Sequence, residues 1–174
     1  MGNLTLTPDL IAELSALCPG GVLRDVPLRH LSRWKIGGPA ALILRPDGAG
    51  QLAALRRCLA RHAMPHLVIG ETSNLLFSDE GLQVPCIQIG ARMARLSVTG
   101  TRIEAQAGVW VPHLARVAMQ AGLTGAEHVC GIPGTLGGLV CMNGGSQRKG
   151  IGTAVREVTA IDRAGGETRR PAAA

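Results

Sequence analysis

Two short stretches of the chain put glycines beside groups that hold anions. VIGETSNLL, residues 68–76, follows an apolar run and sets Gly70 ahead of Glu71, Thr72, Ser73 and Asn74. Successive backbone amides in such a turn form an anion-binding nest. Ser73 and Asn74 add side chains that bond either backbone or a ligand oxygen. An ordinary strand-ending Asx or Ser turn fits the same residues. The second stretch, GIPGTLGGLVCMNGG, spans residues 131–145 and interleaves six glycines with Ile132, Leu136, Leu139, Val140 and Met142. A flexible linker of that glycine content is poor in apolar residues, so this backbone is bare yet packed. Gly131, Pro133 and Gly134 make a tight turn, and Thr135 is placed to cap a short helix from Leu136. Amides at such a helix start point outward and favour a diphosphate. Gly137 and Gly138 would admit a flat ligand close to the backbone, and Asn143 offers both a donor and an acceptor. Close packing of two backbone segments is the other reading. The run is not a G-x-G-x-x-G fingerprint, and GGSQRKG lacks the GK[ST] of a phosphate loop. Two such turns on neighbouring lobes suggest a nucleotide-type cofactor in a cleft.

Other chemistry is sparse. The five cysteines (Cys18, Cys58, Cys86, Cys130 and Cys141) are odd in number and have no C-x-x-C spacing, and the five histidines are scattered. Neither a zinc site nor a disulfide framework is expected, so the metal assignment is none. Reduced thiols suggest a cytoplasmic location. The net charge of +6 and pI of about 9.7 attract phosphates. The basic residues are dispersed, however, and no aromatic residues alternate with them, so nucleic acid is not an expected partner. Hydrophobic residues make up 46% and charged residues 17%, which excludes a disordered chain. With Trp34, Trp110 and Phe77 the only aromatics, aliphatic side chains must fill the core. MGNLTLTPDL lacks the pattern of a signal peptide, and no apolar run spans a bilayer, so no membrane partner is expected.

These turns need elements to hold them. TPDLIAELSAL reads as a helix capped by Thr7, with Pro8 in its first turn and Leu10, Ile11, Leu14 and Leu17 on one face. AALILRPD and HLVIG read as buried strands. Between them AGQLAALRRCLARHAM forms an amphipathic helix with Leu52, Leu55 and Leu59 inward and Arg56, Arg57 and Arg61 outward. That is a βαβ unit with parallel strands. VPCIQIG is a strand, and ARLSVTG and TRIEAQAG form a hairpin around Gly100. VPHLARVAMQAG is a helix with Pro112 near its start and Gly122 past its end. VREVTAID and ETRR form a last hairpin around RAGG. The expected organisation is an N-terminal helix and lead-in over residues 1–30, a first α/β lobe over 31–85, and a more antiparallel second lobe over 86–174.

At these residues the chain resembles the UDP-N-acetylenolpyruvoylglucosamine reductase family, the flavoenzymes also called UDP-N-acetylmuramate dehydrogenases. The resemblance rests on IGGPA (Ile36 to Ala40), GETSNLL, AGVWVPHL and GLTGAEHVCGIPGTLGGLVCMNGGS, in the family's order. It implies an α+β fold, a two-lobed FAD-binding domain of the vanillyl-alcohol-oxidase (PCMH) type with FAD between the lobes. By match, Gly70, Glu71, Thr72, Ser73 and Asn74 would wrap the diphosphate. Gly131, Ile132, Pro133, Gly134, Thr135, Gly137, Gly138 and Asn143 would line the pyrophosphate and flavin side. In the family NADPH reduces FAD, and hydride then passes to the enolpyruvyl group of a UDP-sugar. A serine protonates the product carbon, and an arginine and a glutamate assist.

Three departures stand out. The chain ends at RRPAAA, before the family's substrate-domain motifs. The resemblance therefore implies a C-terminally incomplete domain, with a UDP-sugar bound only if a C-terminal domain is supplied and self-association through exposed edges. The catalytic serine, arginine and glutamate have no matching positions. Thr72 stands where the family carries Gly, and a β-branched residue tolerates positive φ poorly. GGSQRKG replaces GAYG and brings Arg148 and Lys149 to that loop. A flavin-fold oxidoreductase for a surface-polysaccharide substrate, and a non-catalytic nucleotide-binding module, are the alternative readings.

Overall fold

The computed structural model describes residues 6–146 and 149–172. Helix α1 (Pro8–Leu17) starts where its residues dictate. The Thr7 side chain accepts from the Leu10 amide at 3.3 Å, Pro8 occupies the first turn, and Leu10 and Leu14 are buried. Strand β1 (Val22–Pro27) pairs antiparallel with β2 (Pro39–Leu44). The sequence pattern hides β1, because Arg24 and Asp25 interrupt its apolar residues and Asp25 sits at φ 51°. Helix α2 (Ala49–Arg61) buries Leu55, Cys58 and Leu59 and packs on α1.

Strands β3 (Leu67–Ile69) and β4 (Cys86–Gln88) complete a four-stranded sheet in the order β1-β2-β4-β3, with β2, β4 and β3 parallel. The β2–α2–β3 unit is therefore parallel as expected, but β4 lies between its strands. This corrects the expected burial of β3. As the edge strand it leaves Leu67 and Val68 nearly half exposed, and only Ile69 reaches the core with Leu28, Ala40, Ile43, Phe77 and Cys86.

Hairpin β5 (Leu96–Thr99) to β6 (Arg102–Ala105) turns at Gly100, as its alternation predicts. Helix α3 (Val111–Gln120) and the short α4 (Leu136–Cys141) follow. Val111, Val129, Leu139 and Ile151 form a second apolar cluster. Strands β7 (Gly145–Ser146) and β8 (Lys149–Gly150) pair, as do β9 (Glu157–Ile161) and β10 (Glu167–Pro171). Arg148, singled out in the sequence, lies outside the described residues.

The chain forms two compact units. The first holds the residues up to Gln88 together with Ala160–Thr168, and the second holds Ile89–Thr159 and the residues from Arg169. The crossing falls after Gln88 rather than after residue 85, because β4 is an inner strand of the first sheet and buries all its residues. The tip of the last hairpin returns to the first unit. Arg56 donates to the Ile161 carbonyl at 2.9 Å and Arg57 to the Gly165 carbonyl at 3.0 Å. Two arginines read as an outward, solvated face thus anchor a distant turn, a contact no local pattern shows. Among the described residues no helix is long and apolar enough to cross a membrane.

Candidate functional site

The IGGPA element supports the first turn through backbone packing. Gly38 donates to the Ser78 carbonyl at 2.9 Å, and Leu82 donates to the Pro39 carbonyl at 2.9 Å. A Cβ on Gly38 would meet the Asp79 carbonyl oxygen at 2.1 Å, so only glycine fits there. This seats the segment from Phe77 to Leu82 against the start of β2 and fixes where the preceding turn, Gly70 to Asn74, leaves the edge strand. The turn follows the carboxyl end of β3, the end at which parallel sheets present their loops to ligands.

Within that turn Thr72 is buried and holds φ 56°. The Thr side chain accepts this left-handed conformation because its hydroxyl donates to the Leu31 carbonyl at 2.9 Å. The departure from glycine therefore keeps the turn's positive φ and adds a tether to the lead-in of β2. Ser73 carries a buried hydroxyl with no hydrogen-bond partner among the described residues. No described residue accepts from the amides of Gly70, Glu71, Thr72 or Ser73. Glu71 and Asn74 are exposed. A buried hydroxyl and the amides beside it, with no acceptor among the described residues, are donors of the kind an anion takes up.

The second stretch is built differently. Thr135 caps α4, its side chain accepting from the Gly138 amide at 3.4 Å. The Leu136 amide donates to the Val109 carbonyl at 2.8 Å and the Gly137 amide to the Ala107 carbonyl at 2.7 Å. The first amides of α4 are thus spent within the protein. This corrects the expectation that they point outward at a diphosphate. Gly137 serves close packing, since a Cβ there would lie 2.8 Å from the Ala107 Cβ. Asn143 is likewise engaged. At φ 45° its side-chain oxygen accepts from the Gly152 amide at 2.9 Å, and it packs against Gly150. In contrast, a Cβ on Gly131 would meet nothing within 4 Å.

Gly131 and Ile132 line a cavity of about 440 Å³ together with Glu127, His128, Cys130 and Ser146. The volume lies within the range of ligand pockets. Both ring nitrogens of His128 are buried and have no partner among the described residues. The Ser146 hydroxyl donates to the His128 carbonyl, and the Glu127 carboxylate accepts from the Gly125 amide at 2.8 Å. Hydrogen bonds from its own backbone amide and from the Gly125 amide hold the Glu127 carboxyl below its ordinary range. His128 is not among the site residues expected from the sequence. Its only signal was its place three residues before Gly131, because an isolated histidine carries no spacing pattern.

The expected site residues thus fall into two sets. Gly70 to Asn74 lie on the first unit and Gly131 to Asn143 on the second, with Thr135, Gly137 and Asn143 serving as internal supports.

An FAD binding domain family matches residues 40–171. The UDP-N-acetylenolpyruvoylglucosamine reductase 1 of Corynebacterium glutamicum is 44% identical over 141 residues, covering 81% of this chain and 42% of that protein. The crystal structure of the UDP-N-acetylenolpyruvylglucosamine reductase from Thermus caldophilus aligns with a TM-score of 0.72 and 28% identity, over 86% of this chain and 52% of that one. Berberine bridge enzyme from Eschscholzia californica shares the fold alone, with a TM-score of 0.68, 15% identity, and coverage of 94% of this chain and 37% of that one. The chain spans about half the length of the curated relatives it matches. The fold is that of PCMH-type FAD-binding oxidoreductases, and the cofactor is FAD.

Proposed function

The chain belongs to the FAD binding domain family, and we propose that it is the FAD-binding part of a reductase converting UDP-N-acetylglucosamine enolpyruvate to UDP-N-acetylmuramate with NADPH, in the cytoplasmic synthesis of peptidoglycan precursors. The names of relatives up to 44% identical support the reaction. The observation that carries the site is the turn at Gly70 to Asn74. Its buried Ser73 hydroxyl and the amides of Gly70, Glu71, Thr72 and Ser73 have no partners among the described residues. That donor set fits the oxygens of a diphosphate, which accept and do not donate.

In this reading Gly70, Glu71, Thr72, Ser73 and Asn74 hold the diphosphate. Gly131, Ile132, Pro133 and Gly134 offer bare backbone to the rest of the cofactor, beside the His128 ring, whose nitrogens have no partner among the described residues. Thr135, Gly137, Gly138 and Asn143 keep that backbone in place. When bound, FAD supplies the two-electron redox chemistry, and the protein positions it and shields it from water. The open edge of β3, with Leu67 and Val68 exposed, supports self-association by strand pairing. Light scattering across a concentration series measures it.

The test of the reaction is anaerobic reoxidation of the FAD-loaded protein after reduction by NADPH. Reoxidation by UDP-N-acetylglucosamine enolpyruvate is the expected result when the C-terminal domain of a relative is supplied, and not from this chain alone. Reoxidation only by other sugars or hydroxy acids would assign the chain to another substrate.

A further inference from the structure

On the first unit, α1 and α2 bring together three side chains of metal-binding type. Glu13 stands on α1, Cys58 on α2, and His62 caps the end of α2. Their donor atoms all lie within 4.8 Å of one another, and among the described residues no other trio of His, Cys, Asp or Glu does so. Cys58 and His62 are four residues apart, which puts them on one helix face. The Glu13 carboxylate already meets the His62 ring at 3.0 Å and also bonds Arg61.

We propose that Glu13, Cys58 and His62 form a binding site for a divalent transition-metal ion of borderline softness, such as zinc, which clips α1 to α2. One thiolate, one imidazole and one carboxylate are a zinc donor set, with water as the fourth ligand. Tetrahedral bonds of about 2.0–2.3 Å set donors roughly 3.3–3.7 Å apart, so the trio closes with shifts of about 1 Å. Cys58 is buried while Glu13 and His62 reach solvent, which leaves the ion a route of entry. Binding replaces the Cys58 S–H bond with a sulfur–metal bond and releases one proton to water. The metal displaces Arg61 from Glu13, and the Arg61 side chain is exposed and free to turn away. Scattered cysteines and histidines gave no such signal in the sequence, because the third ligand comes from a helix more than forty residues earlier.

Cobalt titration of the purified full chain tests this directly. One equivalent of Co²⁺ is expected to produce a thiolate-to-cobalt charge-transfer band, and Cys58→Ser is expected to abolish it. His62→Gln is expected to weaken cobalt binding by roughly tenfold or more, and zinc is expected to raise the melting midpoint of the parent chain but not of this variant. No band, or a band retained in folded Cys58→Ser and therefore carried by the exposed Cys130 or Cys141, would overturn the proposal. If Cys58→Ser does not fold, Glu13→Gln and His62→Gln decide, since both side chains are at the surface. Unchanged cobalt affinity in both would overturn it.

Discussion

Thr72 and Ser73 are neighbours in one turn with opposite energetics. Thr72 carries a left-handed φ that a β-branched residue resists, and its hydrogen bond to Leu31 offsets part of that strain. Ser73 buries a hydroxyl that bonds nothing among the described residues, a situation that costs about 1–3 kcal/mol. Such a cost is retained where a ligand supplies the missing partner. Ser73→Ala is therefore expected to move two quantities in opposite directions. The flavin-free chain should melt about 2–4 °C higher, while FAD should bind about tenfold more weakly. Differential scanning calorimetry and flavin fluorescence titration measure them. A variant with lower stability and unchanged FAD affinity would make Ser73 a structural residue. The motif containing Ser73 was legible in the sequence, but its lack of a partner was not, because burial of a hydroxyl depends on what the rest of the chain places over it.

At the scale of elements, the glycine-rich stretch divides into supports and open backbone. Gly137→Ala presses a methyl against Ala107 and is expected to cost about 1–3 kcal/mol in denaturant unfolding. Gly131→Ala meets open space in the cavity that holds His128. It is expected to leave unfolding unchanged while weakening FAD binding. Equal loss of stability in the two variants would refute the division. Strand β4 makes a separate prediction about pH. Burial in the centre of the first sheet pushes the Cys86 thiol up to about 11, from 9.0. A folded-state pKa above the unfolded one contributes stability that is fully present below pH 9 and is lost as pH rises towards 11. Urea midpoints are expected to fall over that window, and less so in Cys86→Ala measured against its own value at pH 8. The local elements, such as the Thr7-capped α1 and the Gly100 hairpin, were legible because caps and turn glycines act within a few residues. The spending of the α4 amides on Val109 and Ala107 was not, because those acceptors lie on another segment.

The whole molecule departs from a linear reading at its two long-range returns. Strand β4 inserts between β2 and β3, and the tip of the last hairpin goes back to the first unit under Arg56 and Arg57. Neither event leaves a periodic trace, since sheet order and hairpin docking are settled by which apolar faces remain uncovered. The family motifs, by contrast, are ordered along the chain. They indicated the fold class and cofactor that the FAD binding domain match over residues 40–171 now supports. The claim that joins these scales is that the turn at Gly70 to Asn74 and the bare backbone at Gly131 are shaped by FAD. The most direct test is the visible absorption spectrum of the purified chain after incubation with FAD and desalting. The parent chain is expected to retain a flavin spectrum, released as FAD on heating, and Ser73→Ala to retain less. A folded chain that stays colourless after FAD is added would contradict the claim.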